Sequence, residues 1–249
     1  MLVALAVDAW QQERDDTEQL QGYLASLVRE IDQNLFSINI IKGDVVPTKL
    51  ARLERVIAVL ESGDEAALQS ESLLSDMILS TSNAELWFTR SSYDSVINAG
   101  GFKQLDDREL EAWISGIFTG PGVLLKQTTP LRGDYPALVS GLVPVDMMAA
   151  YNPLAGYFRN SDEAEDPNTL SPTVTEPSSR LGTAQRILAS RDDLLLAARA
   201  EVSYATAVWH ALARIESDFT HLRRRIVDHP LLQEVDTINL FDSVVEDAD

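Results

Sequence analysis

The sequence predicts an all-α protein: an elongated antiparallel helical hairpin or bundle of two long terminal helices, with a small helical subdomain between them. Three observations carry that prediction. Leu20, Leu24, Leu27, Ile31, Asn34, Ile38 and Ile41 recur at alternating spacings of four and three, a heptad seam on one long helix. Ala205, Val208, Leu212, Ile215, Phe219, Leu222 and Ile226 form a second seam of the same kind. No run alternates convincingly with a period of two, so no strand is expected. Each seam is an apolar stripe that its helix cannot bury alone, and packing the two helices antiparallel buries both.

The chain opens on an apolar run, Met1 to Val7, followed by Trp10 and then by nine polar residues, Gln11 to Gln19. A helix that is polar on every side for that length stands in water rather than on a core. Residues 1–10 therefore read as the outer end of a transmembrane helix, with Trp10 at the membrane interface. The run is too short to span a bilayer, which takes about 20 apolar residues, so if it is membrane-embedded the front half of the helix is expected to be missing from this chain. It lacks the basic start and small-residue cleavage site of a signal peptide. The competing reading tucks this segment into the bundle.

From Leu20 the first helix runs to Gly43 and Pro47, which are expected to end it. Val3 to Ile41 would extend about 60 Å if unbroken. A second helix covers Leu50 to Leu60, with Leu53, Val56 and Ile57 on its apolar face and Gly63 as its stop. Asp64 caps a third, running through Leu68, Leu73, Leu74, Met77 and Ile78. Thr89 caps a short helix that closes at Gly100-Gly101. Asp106, with Glu109 three residues on, opens another, and Gly120-Pro121-Gly122 is expected to stop it. Shorter pieces follow at Pro136–Leu142 and Asp146–Tyr151. Residues 159–180, rich in Pro, Ser, Thr and acid, read as an exposed loop. The last long helix starts near Leu181 and ends at Pro230, before an acidic tail. The expected organisation is one structural domain overall: 1–10, 11–158, 159–180, 181–230 and 231–249.

Composition limits function. The 249 residues hold 39 Asp and Glu against 20 Lys and Arg, a net charge of −19. Nucleic-acid affinity rests on cations that neutralise phosphates, so no nucleic-acid partner is expected. With no cysteine, disulfides, thiolate metal sites and cysteine nucleophiles are excluded. His210 and His221 share a helix face but lie about 16 Å apart, too far for one metal ion. His221 with Asp218 suits a local pair. Arg132-Gly133-Asp134 matches an integrin-recognition tripeptide but is ordinary turn chemistry. Gly116 and Gly120 have helix-dimer spacing, yet beside Pro121 they read as a turn. Arg223, Arg224 and Arg225 near a helix C-terminus complement its dipole. Asn34, the polar member of the first seam, suits a hydrogen bond to a neighbouring helix. No EF-hand loop or nucleophile elbow is present. No catalytic, cofactor-binding or metal-binding residue is assigned, and no cofactor is expected.

The run LVALAVDAWQQERDDTEQLQGYLASLVREIDQNL resembles an uncharacterised bacterial family with one N-terminal membrane span, a Trp-containing exit and a helical extracytoplasmic region. A second match lies at FTRSSYDSVINAGGFKQLDDRELEAWI, where Tyr93, Val96, Gly100, Phe102, Leu105, Asp107 and Leu110 occupy the pattern. Tyr135 to Pro144 is a weaker third match. The resemblance covers residues 1–145 and carries no assigned activity. It implies an inner-membrane protein with its bulk in the periplasm. The expected function is a membrane-anchored helical interaction or scaffolding protein without catalysis, with a protein partner or a second copy of itself. A ligand-sensing helical domain and an enzyme of unfamiliar design are the alternatives.

Overall fold

A computed structural model describes residues 2–82, 88–100, 102, 105, 107–151 and 177–233. All regular structure among them is helical. The helices are α1 (Leu2–Ile40), α2 (Val46–Ser62), α3 (Glu65–Leu68), α4 (Glu71–Leu79), α5 (Ser91–Ala99), α6 (Arg108–Thr128), α7 (Tyr135–Leu142), α8 (Val145–Tyr151), α9 (Pro177–Ala189), α10 (Arg191–Val227) and α11 (Pro230–Gln233). The loop expected at 159–180 lies outside the described residues up to 176, and the acidic tail lies outside them from 234.

The chain divides into two compact units interleaved along the sequence. One comprises residues 1–40, 86–124 and 212–249; the other comprises 41–85 and 125–211.

In the first unit, Leu20, Leu24, Leu27, Ile31, Asn34 and Ile38 of the first seam are all buried. So are Leu212, Ile215, Phe219, Leu222 and Ile226 of the second. The two seams run antiparallel: Asp32 pairs with Arg223, while Gln21, further back on α1, donates to the Leu231 carbonyl. The terminal helices thus pack as their spacing predicts. Rings from three segments fill the space beside the seams. Tyr93 stacks on Phe118 at 5.0 Å, and Phe118 meets Phe219 edge-on at 5.6 Å. Before Leu20, α1 has no described side chain that is buried, and Trp10 is 59% exposed.

The second unit is built on α2. Leu53, Val56 and Leu60 pack with Leu73, Leu74 and Met77 of α4, Tyr135 and Val139 of α7, Ile187 of α9, and Leu194 and Ala198 of α10. Gly63 closes α2 in the left-handed conformation (φ 66°), as its position predicts. Arg191 completes that end by donating to the carbonyls of Leu60 and Glu61.

Four punctuation signals act differently from expectation. Gly43 and Pro47 do not stop the first helix. A π turn, Ile41–Val45, absorbs the irregularity, and Pro47 falls in the first turn of α2, where its missing N–H costs little. The Trp209 indole donates to the Lys42 carbonyl within that turn. The single third helix is two, because Ser70 caps α4 by accepting from the Leu73 N–H. Thr89 does not cap α5, whose start carries no local side-chain cap. Gly120-Pro121-Gly122 lies inside α6, which continues to Thr128. Buried Ile114, Ile117 and Phe118 before the proline, and buried Thr128 after it, hold both halves in place against its helix-breaking effect.

Candidate functional site

The most unusual chemistry lies in the second unit. Lys49 of α2 and Glu201 of α10 form an ion pair with the lysine 8% exposed and the glutamate fully buried. Lys49 Nζ also donates to the Ser82 carbonyl at 3.1 Å and lies 5.9 Å from the Tyr204 ring centre. The second carboxylate oxygen, Glu201 Oε2, has no hydrogen-bond partner among the described residues. Desolvation lowers the Lys49 pKa from its ordinary value, and Glu201 opposes that shift. Burial likewise raises the Tyr204 hydroxyl and, more strongly, that of Tyr135, which shares a 2.9 Å hydrogen bond with Ser80. A base or nucleophile must be reachable by its substrate. Burial this complete makes the Lys49–Glu201 pair a structural lock joining α2 to α10.

In the first unit, a second buried acid does a different job. Glu30 of α1 accepts from the N–H of Ser92 at 2.6 Å, from the N–H of Tyr93 at 3.4 Å and from the Ser91 hydroxyl at 3.1 Å. It caps α5 from another helix, satisfying donors that the start of a helix leaves unpaired. One turn along, Asn34 donates to the Thr89 carbonyl and accepts from the Thr89 N–H, both at 2.9 Å. The polar seam residue therefore bonds to the segment entering α5. Thr89 contributes backbone here, in place of the capping hydroxyl expected of it.

The residues singled out in the sequence are scattered. His210 is exposed, and His221 turns to the Ser217 carbonyl at 2.7 Å rather than to Asp218. Arg223 pairs with Asp32 at 2.6 Å. Arg225 reaches Glu109 at 3.1 Å and Asp107 at 3.6 Å, and lies over the Trp113 ring. Two of the three arginines thus brace α10 against neighbours in addition to sitting at its C-terminal end. Asp107 caps α6 by accepting from the Leu110 N–H, while Asp106 lies outside the described residues. Within Arg132-Gly133-Asp134 the glycine is tight: a Cβ there would stand 2.9 Å from the Ala200 Cβ. That close approach gives the tripeptide a packing reason. Among the described residues, no group of three or more His, Asp or Glu is placed to hold a metal ion.

Gly116 and Gly120, expected in a turn, lie instead on the accessible side of α6. With Trp113, Ile117, Pro121 and Leu124 they line a shallow groove of about 220 Å³, closed on its other side by Ile215 and Asp218 of α10. Pro121 has no N–H to offer the Ile117 carbonyl, so α6 lacks one of its helical hydrogen bonds there.

The sequence reading missed Lys49, Glu201 and Glu30. A signal existed for the first two. Lys49 falls in the series Val46, Lys49, Leu53, Val56, Leu60, and Glu201 continues the second seam backwards through Ala198 and Leu194. Opposite charges at two seam positions point to a buried pair. Compared with known proteins, the chain matches no protein-family model, no curated protein and no solved structure.

Proposed function

We propose that the chain is a helical interaction or scaffolding protein without catalysis, held at a membrane by the apolar start of α1 and facing the extracytoplasmic side. One observation carries this reading: from Val7 to Gln19 no described side chain of α1 is buried, and the first buried residue is Leu20. A helix of that length in water is a stalk, and stalks hold domains away from an attachment point. Trp10 stands where an interfacial aromatic would, and the acid-rich flank, with Arg14 as its only cation before Leu20, suits the extracytoplasmic side. No helix among the described residues is long and apolar enough to cross a membrane, so the apolar start would seat in the bilayer without spanning it alone. Exposed apolar side chains favour a protein partner. Phe36 is 68% exposed, and Ile40 follows it one turn later on α1.

Fractionation of the natural gene product, followed by protease added to intact spheroplasts, tests the reading. Recovery with membranes and digestion from outside are expected. A product that stays in the soluble fraction, or one protected inside the cell, overturns it. The groove on α6 favours a second reading, a ligand-sensing helical domain, because it combines small and apolar residues of α6 with the Asp218 carboxylate of α10.

A further inference from the structure

In the second unit, the turn that enters α7 lies against α10, and a depression of about 390 Å³ opens beside it. Gly133 and Asp134 line one side with Leu138 of α7. Asp193, Leu196 and Ala200 line the other, at spacings of three and four that put them on one face of α10. The floor is made of small residues, for a Cβ on Gly133 would already reach the Ala200 Cβ at 2.9 Å. Leu196 stands beside that floor 70% exposed. The only charged side chains of the lining are the two carboxylates, both exposed, and neither has an ion pair or a side-chain hydrogen bond among the described residues. Asp134 precedes α7, yet its side chain caps nothing. The cations nearest in sequence are engaged elsewhere and none lines the depression. Arg191 donates to the carbonyls of Leu60 and Glu61, Arg199 pairs with Glu61, and Arg132 acts electrostatically on Lys49 and Tyr204. We infer that this depression docks a basic amphipathic helix of a partner protein, with an apolar side chain seated on Leu138, Leu196 and Ala200 between Lys or Arg residues that face Asp134 and Asp193.

Charge and apolar surface together select that occupant. A purely apolar partner would draw water away from two carboxylates and offer them nothing in return. A simple cation would leave Leu196 in water. A helix carrying apolar residues at spacings of three and four, flanked by Lys or Arg, meets both demands, and the small residues of the floor let it approach closely. The long-range field points the same way, since a chain of net charge −19 draws basic partners towards it. The same charge disfavours a second copy, because two such chains repel. This docking supplies the partner of the interaction protein proposed above and rests on that part of the reading; it needs no membrane.

The test titrates the full-length chain, in solution and without lipid, into a dye-labelled synthetic amphipathic helix of leucine and lysine, followed by fluorescence anisotropy. A peptide of the same pattern with glutamate in place of lysine is the charge control. The leucine-lysine peptide should bind, more weakly as salt rises, and the leucine-glutamate peptide should not. Asp134→Asn/Asp193→Asn should weaken binding about fivefold, the worth of two exposed charge pairs. Leu196→Ser should weaken it about tenfold through lost apolar burial. Glu54→Gln/Glu65→Gln removes the same two charges at exposed positions of the same unit outside the lining, and should change affinity less than about twofold. Equal losses in the two double variants would mean attraction to the chain's bulk charge and overturn the inference. So would equal binding of both peptides, no binding of either, or a Leu196→Ser variant that binds like the parent. All five substituted residues are exposed, and far-UV circular dichroism checks that each variant keeps its helical fold. Failure here leaves the membrane attachment to the fractionation experiment, and a product found soluble there leaves this docking standing.

Discussion

In the unit built on α1, the buried carboxylate of Glu30 is held by two backbone N–H groups and a hydroxyl at the start of α5. In the unit built on α2, the buried carboxylate of Glu201 is held by one lysine side chain, with an oxygen left over. The donors around Glu30 are fixed by the helix they begin, so their geometry exists whether or not the glutamate arrives. Lys49 is a flexible cation that must itself leave water, and desolvation dominates its lowered pKa. A backbone cap asks one group to be desolvated, whereas an ion pair asks two and depends on both. The second arrangement should be more fragile to single substitution and more tolerant of double replacement.

The largest expected effects test that difference. Glu201→Gln leaves the Lys49 ammonium buried without a counter-charge and should cost about 3–5 kcal/mol in urea denaturation. The double variant Lys49→Met/Glu201→Leu removes both charges and should return to within about 1 kcal/mol of the parent, or exceed it. A double variant as unstable as the single one would break the comparison. Glu30→Gln loses charge-assisted hydrogen bonds but leaves no buried opposite charge, so about 2 kcal/mol is expected. If Glu30→Gln costs more than Glu201→Gln, the ranking of the two arrangements is wrong.

The same contrast explains what could be read from the sequence. Seams announce themselves because a buried stripe must repeat with the helix, and Leu20 to Ile38 and Leu212 to Ile226 are buried where spacing places them. Local caps are equally plain, as Gly63, Asp64 and Gly100 show. Glu30 could not be read, since its partners stand more than sixty residues away and ordinary backbone N–H groups leave no mark in composition. Pro121 misled for a related reason. A proline's local cost is visible in sequence, while the packing of Ile117, Phe118 and Thr128 that outweighs it is not. The division into two units has no compositional sign either, because α6 and α10 each contribute residues to both.

Glycines give an intermediate pair of effects, one in each unit. Gly133→Ala should cost about 1–3 kcal/mol, because its Cβ would meet Ala200 at 2.9 Å and helix α10 would have to yield. Gly116→Ala, inside α6 and facing open space, should instead stabilise by about 0.5–1 kcal/mol. Thermal melts of both variants should move in opposite directions. A gain for Gly133→Ala would show that the turn at 132–134 does not press on α10.

The smallest expected effect concerns Asp107, again a carboxylate on backbone donors, but at the surface. Its pKa lies below the ordinary carboxylate value, chiefly because it accepts from the Leu110 N–H and secondarily because Arg225 is near. A folded-state pKa below the unfolded one means that the stabilisation is complete above the unfolded value. It fades as pH falls through the folded value, so the window lies below about pH 4. Asp107→Ala removes the cap and the charge, while Asp107→Asn keeps a capping oxygen and removes only the charge. The melting-temperature gap between parent and Asp107→Ala should therefore be widest near about pH 7 and narrow towards about pH 2.5. Asp107→Asn should show a smaller gap at neutral pH that closes over the same window. A gap for Asp107→Ala that stays constant with pH would mean that the ionised carboxylate contributes nothing at this helix start, and that backbone donors reward a buried acid such as Glu30 alone.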